Sequence, residues 1–415
     1  MLESSRLAGL HQMEPRARRQ RVLSECGLQQ HPDLGQALDS TDAAMLTIAD
    51  VMVENAIGTF EVPLGVATNL IVDGAEVLVP MATEESSVIA AVCNGARQCR
   101  ESGGIRTVNV GSCMIAQIQV KALAAPHAAA AQLHQHRDDI RALCNECDPT
   151  LVGLGGGFED LQVRVLSASM LVLHIIVDTR DAMGANAVNT MAEKLAPHVE
   201  QWTGGVVGLK ILSNLADRRT VRASATWSCA ALGGPEVRDG IISAGEFACL
   251  DPYRATTHNK GIMNGVSAVV LATGNDTRAV ESGAHAFAAR SGHYSPLTRW
   301  EADAEGNLVG TLELPLAVGI VGGATRVHAT AQLCLAIMQI TSAAQLAGII
   351  AAVGLVQNFS ALKALATEGI QRGHMSLHAK NVAVAAGATG EDINRVAQQM
   401  IASGTINESA AKALL

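Results

Sequence analysis

Four short segments of the chain combine acids, a cation and a histidine in a way that could serve hydride transfer to a carbonyl group. They are Thr83-Glu84-Glu85-Ser86, DAMGAN at 181–186, the stretch 258–276 with Lys260 and Asp276, and Gly373-His374-Met375. Acids move protons, a cation stabilises a developing oxyanion, and a helix N-terminus binds phosphate. This inventory predicts a reductase that acts on a thioester.

The stretch around Lys260 allows two interpretations. Lys260 lies in a Gly- and Asn-rich segment before an apolar run at 266–271, which predicts a surface lysine in a loop. Asp276, within Gly-Asn-Asp, is typical of a helix cap. A catalytic lysine requires burial and an acidic neighbour, and Asp276 is the nearest candidate for that neighbour.

The acidic pair Glu84-Glu85 follows a predicted strand at 77–80 and precedes an apolar helical stretch. Adjacent acids at this position usually lie on a solvated helix start, where they complement the helix dipole. The alternative is that one of them points into a cleft. Burial there would raise the pKa of its carboxyl group and let it act as an acid.

Residues 181–186 lie between a predicted strand and a predicted helix. In one interpretation Asp181 only caps that helix. In the other, the helix N-terminus forms a phosphate site, to which Gly184 gives access. Neither this segment nor Gly155-Gly156-Gly157 fits the G-x-G-x-x-G fingerprint, so a Rossmann domain is not predicted.

His374 and His378 are four residues apart and would share one face of a helix. No glutamate follows His374 as an H-E-x-x-H zinc site requires, which leaves a general acid or a surface pair. The nine cysteines include one close pair, Cys144 and Cys147, without further ligands at metal spacing. We therefore predict no metal site, and reduced thiols in a cytoplasmic protein.

The 415-residue chain is long enough for two or three domains, and its hydrophobic share of 48% is that of a folded protein. Aromatic residues make up only 2%, so aliphatic side chains must build the core. The net charge of −9 argues against a nucleic-acid partner. We expect no secretory signal, and the apolar run at 346–356 is shorter than a membrane span, which favours a buried helix.

Hydrophobic periodicity predicts a β-α-β-β-α-β unit at 113–212, the order of a ferredoxin-like domain. Its predicted strands lie at 113–121, 161–165, 170–177 and 206–212, and its predicted helices run from 126 to about 146 and over 182–202. The flanking chain would form one discontinuous larger domain. Helices are predicted there at 40–56, 86–100, 277–290, 330–338 and 342–368, and a strand begins at 308.

Eight segments together resemble the class II 3-hydroxy-3-methylglutaryl-coenzyme A (HMG-CoA) reductases, the soluble bacterial type. They are ENAIGTFE (54–61), PMATEESS (80–87), DAMGANAVNTMAE (181–193), ILSNLAD (211–217), DPYRATTHNKGIMNG (251–265), ATGNDTRAVESGAHAFAARSGHY (272–294), GTLELPLAVGIVGGAT (310–325) and ALATEGIQRGHMSLHAKN (364–381). The resemblance implies an α+β fold in four parts. A large domain at 1–110 and 216–371 holds an inserted ferredoxin-like NAD-binding domain at 111–215, and a helical flap occupies 372–415.

The resemblance also implies a reaction and its residues. Family members reduce HMG-CoA in two hydride steps, through mevaldyl-CoA and mevaldehyde, to mevalonate and coenzyme A. Lys260 would polarise the reacting carbonyl group, and Asp276 would pair with Lys260 and keep it charged. Glu85, rather than Glu84, would protonate the oxygen, and His374 would protonate the departing thiolate. Ser87, Arg254 and Asn264 match substrate contacts, and Asp148, Asp181, Met183, Gly184, Asn186 and Asn214 match nucleotide contacts.

Cofactor choice and assembly follow from the same resemblance. Asp148 falls where an acid accepts from the ribose 2′-hydroxyl, which implies NADH in preference to NADPH because a carboxylate repels a 2′-phosphate. A homodimer or larger homo-oligomer with active sites between subunits is also implied. The same residues would serve a catabolic mevalonate:NAD oxidoreductase. A ligand-binding homologue without turnover is the alternative outside enzymes, against which the intact acids, lysine and histidine argue.

Overall fold

The computed structural model describes residues 7, 9–28, 43–367 and 369–415, with the helical backbone alone for 370–377. Within these residues, ten strands form a six-stranded and a four-stranded sheet, and helices pack around both. The fold is α+β, as predicted.

The elements are numbered here in chain order for the described residues. Before the smaller sheet come α1 (Pro15–Glu25), α2 (Ala43–Met52), β1 (Leu64–Val72), β2 (Ala75–Ala82), α3 (Val88–Cys99) and β3 (Ile105–Val110). The smaller sheet and its helices are β4 (Cys113–Lys121), α4 (Pro126–Gln135), α5 (Arg137–Cys147), α6 (Pro149–Gly153), β5 (Gly157–Ser167), β6 (Met170–Asp178), α7 (Ala185–Thr203) and β7 (Val206–Ser213). After it come β8 (Thr220–Trp227), α8 (Cys229–Leu232), α9 (Pro235–Leu250), α10 (Pro252–Ala272), α11 (Thr277–Ala288), β9 (Thr298–Ala302), β10 (Leu308–Pro315), α12 (Gly323–Val327), α13 (Ala329–Ile337), α14 (Ala343–Ala366), α15 (Ile370–Ala385), α16 (Asp392–Ser403) and α17 (Glu408–Ala413).

The four-stranded sheet has the strand order β5-β6-β4-β7 with antiparallel pairing throughout, which is the ferredoxin-like arrangement. Helices α4, α5 and α7 cover one face and share an aliphatic core with it. The single helix predicted from 126 to about 146 is wrong, because the chain breaks at His136 into α4 and α5. Asp138 and Asp139 in the first turn of α5 favour a new helix start, and the His136 ring stacks on Trp202.

The six-stranded sheet has the order β2-β1-β3-β8-β10-β9. Three of its strands precede the smaller sheet in the sequence, and three follow it. Helix α14 lies across it at the centre of the larger core. In that core Phe359 stacks on Trp227 at 4.2 Å between ring centroids, and Trp300 packs against both rings. Over its most apolar stretch α14 is long and apolar enough to cross a membrane, yet 67% of that stretch is buried inside the protein. The predicted buried helix is confirmed.

Lys260 lies in the middle of helix α10, so the loop predicted around it is wrong. Asp251 starts this helix by accepting a hydrogen bond from Arg254 N at 2.7 Å, and Pro252 occupies its first position. Gly265 serves close packing against α14, because a Cβ there would lie 3.0 Å from Val353 Cγ1. Gly265 therefore reflects helix packing, which single-chain periodicity does not distinguish from a loop.

Candidate active site

Three side chains from two distant parts of the chain meet beside α10. Lys260 Nζ donates to Glu85 Oε2 at 2.7 Å, and Asn264 Nδ2 donates to Glu85 Oε1 at 3.3 Å. Lys260 and Asn264 are four residues apart on one helix face, which turns both toward the loop after β2 that carries Glu85. Glu85 N donates to Thr83 Oγ1 at 3.2 Å and so fixes this loop.

The cluster is open to solvent on one side. The Lys260 side chain is 61% exposed and that of Glu85 is 37% exposed. An ammonium group can donate to a carbonyl oxygen while a neighbouring carboxyl group transfers a proton, and carbonyl reduction requires both functions. The structure brings Glu85 to this place and leaves Glu84 exposed outside it.

Arg254 and Ser87 lie on the same two parts of the chain. Arg254 is half-buried in the first turn of α10, burial lowers the pKa of its guanidinium, and no carboxylate of the described residues pairs with it. An unpaired, partly desolvated guanidinium suits an anionic ligand. Ser87 precedes α3 with φ of 74°, a left-handed conformation that costs a non-glycine residue about 1–2 kcal/mol. Such strain is typical of functional positions.

Asp276 caps helix α11, as the sequence indicates. Its Oδ1 accepts from Arg278 N at 3.0 Å and from Ala279 N at 3.1 Å. Within this chain Lys260 pairs with Glu85, so the predicted contact between Asp276 and Lys260 is not made here and stays a prediction. Lys260 lies about 18 Å along the helix axis from Ala272, the last residue of α10, at 1.5 Å per residue, and Asp276 lies beyond that end.

The turn before α7 holds four of the predicted nucleotide contacts. Gly184 caps the 19-residue helix with φ of 97°, and a side chain there would lie 2.4 Å from Thr179 Cγ2. The first amides of a helix have no partner within it and lie at its positive end, so this turn fits a phosphate group, and Asn186 is exposed there. The interpretation of Asp181 as the cap of α7 is wrong, because its Oδ1 accepts from Ala343 N at 2.7 Å, in the first turn of α14.

Arg219 organises this turn, although the sequence analysis did not single it out. It is 6% exposed, and burial lowers its pKa to about 10. Its guanidinium donates to Thr179 Oγ1 and to the carbonyl groups of Ala182 and Val318 at 2.7–2.9 Å, and to that of Met183 at 3.4 Å. In the sequence, the only indication of this role is that Arg219 directly precedes the alternating strand β8.

The other two predicted nucleotide contacts lie on other loops of the smaller sheet's domain, one before α6 and one after β7. Asp148 caps α6 with Oδ1, which accepts from Leu151 N at 2.9 Å. Asn214 is exposed after β7, and its carbonyl group accepts from Ala216 N at 2.9 Å. In the described chain no hydrogen bond joins either residue to the turn at 181–186. The structure therefore shows where Asp148 and Asn214 lie but, among the described residues, no hydrogen bond from either of them to the predicted nucleotide-binding turn.

His374 lies on the helical backbone of α15, but its side chain falls outside the described residues. The structure therefore leaves its predicted role as a prediction. His378, one turn later, is exposed.

Two buried residues that the sequence analysis did not identify anchor α10 next to Lys260. Asn259 donates to Ser295 O at 2.9 Å and accepts from Leu297 N at 2.9 Å. His258 Nε2 lies 2.5 Å from Thr298 Oγ1, its Nδ1 is buried without a hydrogen-bond partner among the described residues, and burial lowers its pKa to about 3. These contacts fix the rotation of α10 about its axis and thus the direction of Lys260.

Comparison with known proteins bears on this site. The sequence profile of the hydroxymethylglutaryl-coenzyme A reductase family matches residues 15–379. The 3-hydroxy-3-methylglutaryl-coenzyme A reductase of Archaeoglobus fulgidus is 52% identical over 418 residues, covering 99% of this chain and 94% of the relative. A probable enzyme of the same name from Borreliella burgdorferi is 38% identical, covering 80% of this chain and 77% of the relative.

Solved structures agree with the sequence comparison. The class II 3-hydroxy-3-methylglutaryl-CoA reductase from Streptococcus pneumoniae, bound to NADPH in open conformations, is 38% identical with a TM-score of 0.77, covering 95% of this chain and 98% of that one. A second structure of the enzyme from that organism has a TM-score of 0.78 and covers 98% of each chain.

The fold and these matches define the chain as an NAD(P)-dependent oxidoreductase. It belongs to the hydroxymethylglutaryl-coenzyme A reductase family, and the solved structures that it resembles include a class II enzyme, as the resemblance implied.

Proposed function

We propose that the chain catalyses the two-step, NADH-dependent reduction of (S)-HMG-CoA to mevalonate and coenzyme A. The observation that carries this proposal is the cluster of Lys260, Glu85 and Asn264, which combines a cation, a proton-transferring acid and an orienting amide at one solvent-facing point. Run in reverse, the same residues would serve the NAD- and coenzyme A-dependent oxidation of mevalonate.

Each residue of the cluster has a separate task in the proposal. Lys260 donates to the carbonyl oxygen as negative charge develops on it. Glu85 delivers the proton to that oxygen, and Asn264 holds the carboxyl group of Glu85 in place. Arg254 binds the substrate carboxylate, and Ser87 makes a further contact with the substrate. His374 protonates the departing coenzyme A thiolate.

The nucleotide site is proposed at the turn before α7. The helix N-terminus and Gly184 suit the phosphates, while Asp181, Met183, Asn186 and Asn214 complete the site. Two nicotinamide nucleotides, bound there one after the other, would supply one hydride each for the two reductions. Asp148 presents a carboxylate, one oxygen of which caps α6. We expect it to disfavour a 2′-phosphate, so that NADH is preferred even though the similar S. pneumoniae enzyme was solved with NADPH.

The position of Asp276 supports an active site shared between two copies of the chain. Lys260 lies near the middle of α10 and Asp276 beyond its C-terminal end, about 18 Å or more away along the axis, so the proposed pair cannot form within one chain. In a homodimer, Asp276 of one copy would reach Lys260 of the other and support its charge. A homodimer or larger homo-oligomer is therefore part of the proposal.

The domain division and the location in the cell are also proposals. Three separate buried clusters lie in the two sheets and in helices α15–α17, which supports large-domain segments at 1–110 and 216–371, an NAD-binding domain at 111–215 and a flap at 372–415. We place the protein in the cytoplasm, with coenzyme A as part of the substrate.

The decisive experiment follows the absorbance of NADH with HMG-CoA as substrate and repeats the assay with NADPH. We expect NADH to be consumed with two equivalents per mevalonate formed, and faster than NADPH. If neither nucleotide is oxidised while HMG-CoA still binds in calorimetry, the chain is a ligand-binding homologue without turnover. A faster rate with NADPH would overturn the proposed cofactor preference alone.

A further inference from the structure

Residues 316–320, called the strap below, lie between two parts of the proposed site. Gly319 N donates to Asn275 Oδ1 at 2.8 Å, and the next amide, Ile320 N, donates to Asp181 O at 3.0 Å. Asn275 directly precedes Asp276 in the chain. The strap therefore connects the segment that carries Asp276 to the turn that precedes α7 through consecutive backbone amides.

Gly319 allows an unusually close approach of the strap to this turn. A Cβ at Gly319 would lie 2.4 Å from Met183 N, 3.0 Å from Ala182 C and 3.1 Å from Asp181 O. All three are backbone atoms, so no side-chain rotation would relieve the overlap. The turn would have to move by about 1 Å to restore van der Waals distance.

Arg219 adds a second link between the turn and the strap. It donates to Ala182 O at 2.9 Å and to Val318 O at 2.7 Å. A cavity of about 410 Å³ borders both the turn and the strap, with Asp181, Arg219 and Leu316 among its lining residues. The position of the turn therefore depends on its backbone contacts with the strap and on Arg219.

We propose that Gly319 and Asn275 are positioning residues, which hold Asp276 and the nucleotide-binding turn at one fixed separation. The inference rests on the proposed function, which assigns both groups to the active site. In the proposed dimer, Asp276 of one chain reaches Lys260 of the other chain. If the nucleotide-binding turn next to that Lys260 also comes from the chain that supplies Asp276, then one chain contributes both groups. The strap makes them a single rigid unit.

The first test is Gly319→Ala, with Gly153→Ala as the matched control because a Cβ at Gly153 meets nothing within 4 Å. We expect Gly319→Ala to lower kcat on the order of 100-fold and to raise the KM for NADH on the order of tenfold, as a displacement of about 1 Å does. The KM for HMG-CoA should stay near that of the control, although the backbone overlap should lower the unfolding midpoint. Equal changes in kcat and in the KM values for NADH and HMG-CoA would show a merely structural role and overturn the proposal.

The second test uses Asn275. Asn275→Asp keeps an oxygen that accepts from Gly319 N, whereas Asn275→Ala removes it, so the first variant should recover most of the NADH affinity that the second loses. NADH binding measured by fluorescence without substrate gives the comparison. Equal affinity in both variants and the wild type would refute the positioning role of Asn275.

Asn186→Ala separates failure of this inference from failure of the proposed function. If it leaves NADH affinity unchanged, the nucleotide site is not at this turn, and both the site and the inference are wrong. If it weakens NADH binding while Gly319→Ala does not, the nucleotide site stands and only the strap proposal fails.

Discussion

Lys260 and Glu85 form an ion pair with 2.7 Å between Nζ and Oε2, although 175 residues separate them in the chain. Neither group is fully buried, and a surface ion pair of this kind contributes little to stability. Its value is positional, because it brings a cation and an acid to the same solvent-facing point. Asn264 binds the second oxygen of Glu85 and thereby fixes the orientation of the carboxylate.

Removing the lysine should abolish most of the chemistry without unfolding the chain. We expect Lys260→Ala to lower kcat by about 10²–10³-fold, because a donor to the developing oxyanion is lost. The exposed Lys121→Ala on β4 is the matched control and should retain wild-type kcat. Steady-state NADH oxidation gives both values, and an undiminished kcat for Lys260→Ala would refute the mechanism.

Substitution of the two adjacent glutamates should have very different effects on kcat. Glu85→Gln removes the proton donor and the ionic partner of Lys260, and we expect kcat to fall by about 10²–10⁴-fold. Glu84→Gln changes the exposed neighbour and should leave kcat within about twofold, as surface substitutions usually do. Comparable losses of kcat in both variants would mean that the contact with Lys260 does not identify which glutamate is the catalytic acid.

Mixing two inactive variants tests the shared active site. Lys260→Ala and Asp276→Ala are each expected to be inactive as homodimers. If Asp276 acts on Lys260 of the other copy, a mixed dimer keeps one intact site. An equimolar, re-equilibrated mixture should then recover about a quarter of wild-type activity, since random exchange makes half of the dimers mixed. No recovery, with mixed dimers demonstrated by mass spectrometry, would place both residues in one chain's site.

Asp148 should control the choice between NADH and NADPH. Asn is as good a helix cap as Asp, so Asp148→Asn keeps the start of α6 and removes only the charge. We expect the ratio of kcat/KM for NADPH to that for NADH to rise roughly tenfold, which corresponds to about 1.4 kcal/mol of lost repulsion. Asp138→Asn, at a carboxylate that is 93% exposed on α5, is the control. An unchanged ratio would remove Asp148 from the ribose site.

His258 should make the protein sensitive to acid. Burial lowers the pKa of His258 from 6.5 to about 3, so as the pH falls below 6.5 the unfolded state takes up the proton before the folded state does. The stability contributed by neutral His258 is therefore complete above pH 6.5 and is lost as the pH falls toward 3, by up to about 1.4 kcal/mol per pH unit.

Urea unfolding at pH 7 and pH 5 measures this loss. Between pH 7 and pH 5 the free energy of unfolding of the wild type should fall by about 2 kcal/mol more than that of His258→Gln, because the variant lacks the titrating group. His293→Gln, at an exposed histidine, should behave like the wild type. A wild-type loss equal to that of His258→Gln would show that His258 does not drive the acid sensitivity.

Much of the fold was predictable from the sequence, because local periodicity records which side chains face a core. The strands and helix α7 of the smaller sheet, the buried helix α14 and the cap at Asp276 all follow such patterns. The helix around Lys260 did not, because Gly265 serves a contact with α14 that the local sequence does not reveal. The break at His136 likewise depends on stacking against Trp202, which is distant in sequence.

The sequence by itself determined the inventory of the site, since the residue types and their order carry the resemblance to the class II enzymes. Only the tertiary structure decided which of these groups meet. It pairs Lys260 with Glu85 and places Asp276 beyond the C-terminal end of α10. It also shows that Asp181 accepts a hydrogen bond from the first turn of α14 and does not cap α7. The physical reason is that spacing along a chain fixes distances only within one helix or strand, whereas contacts between elements depend on how their faces pack.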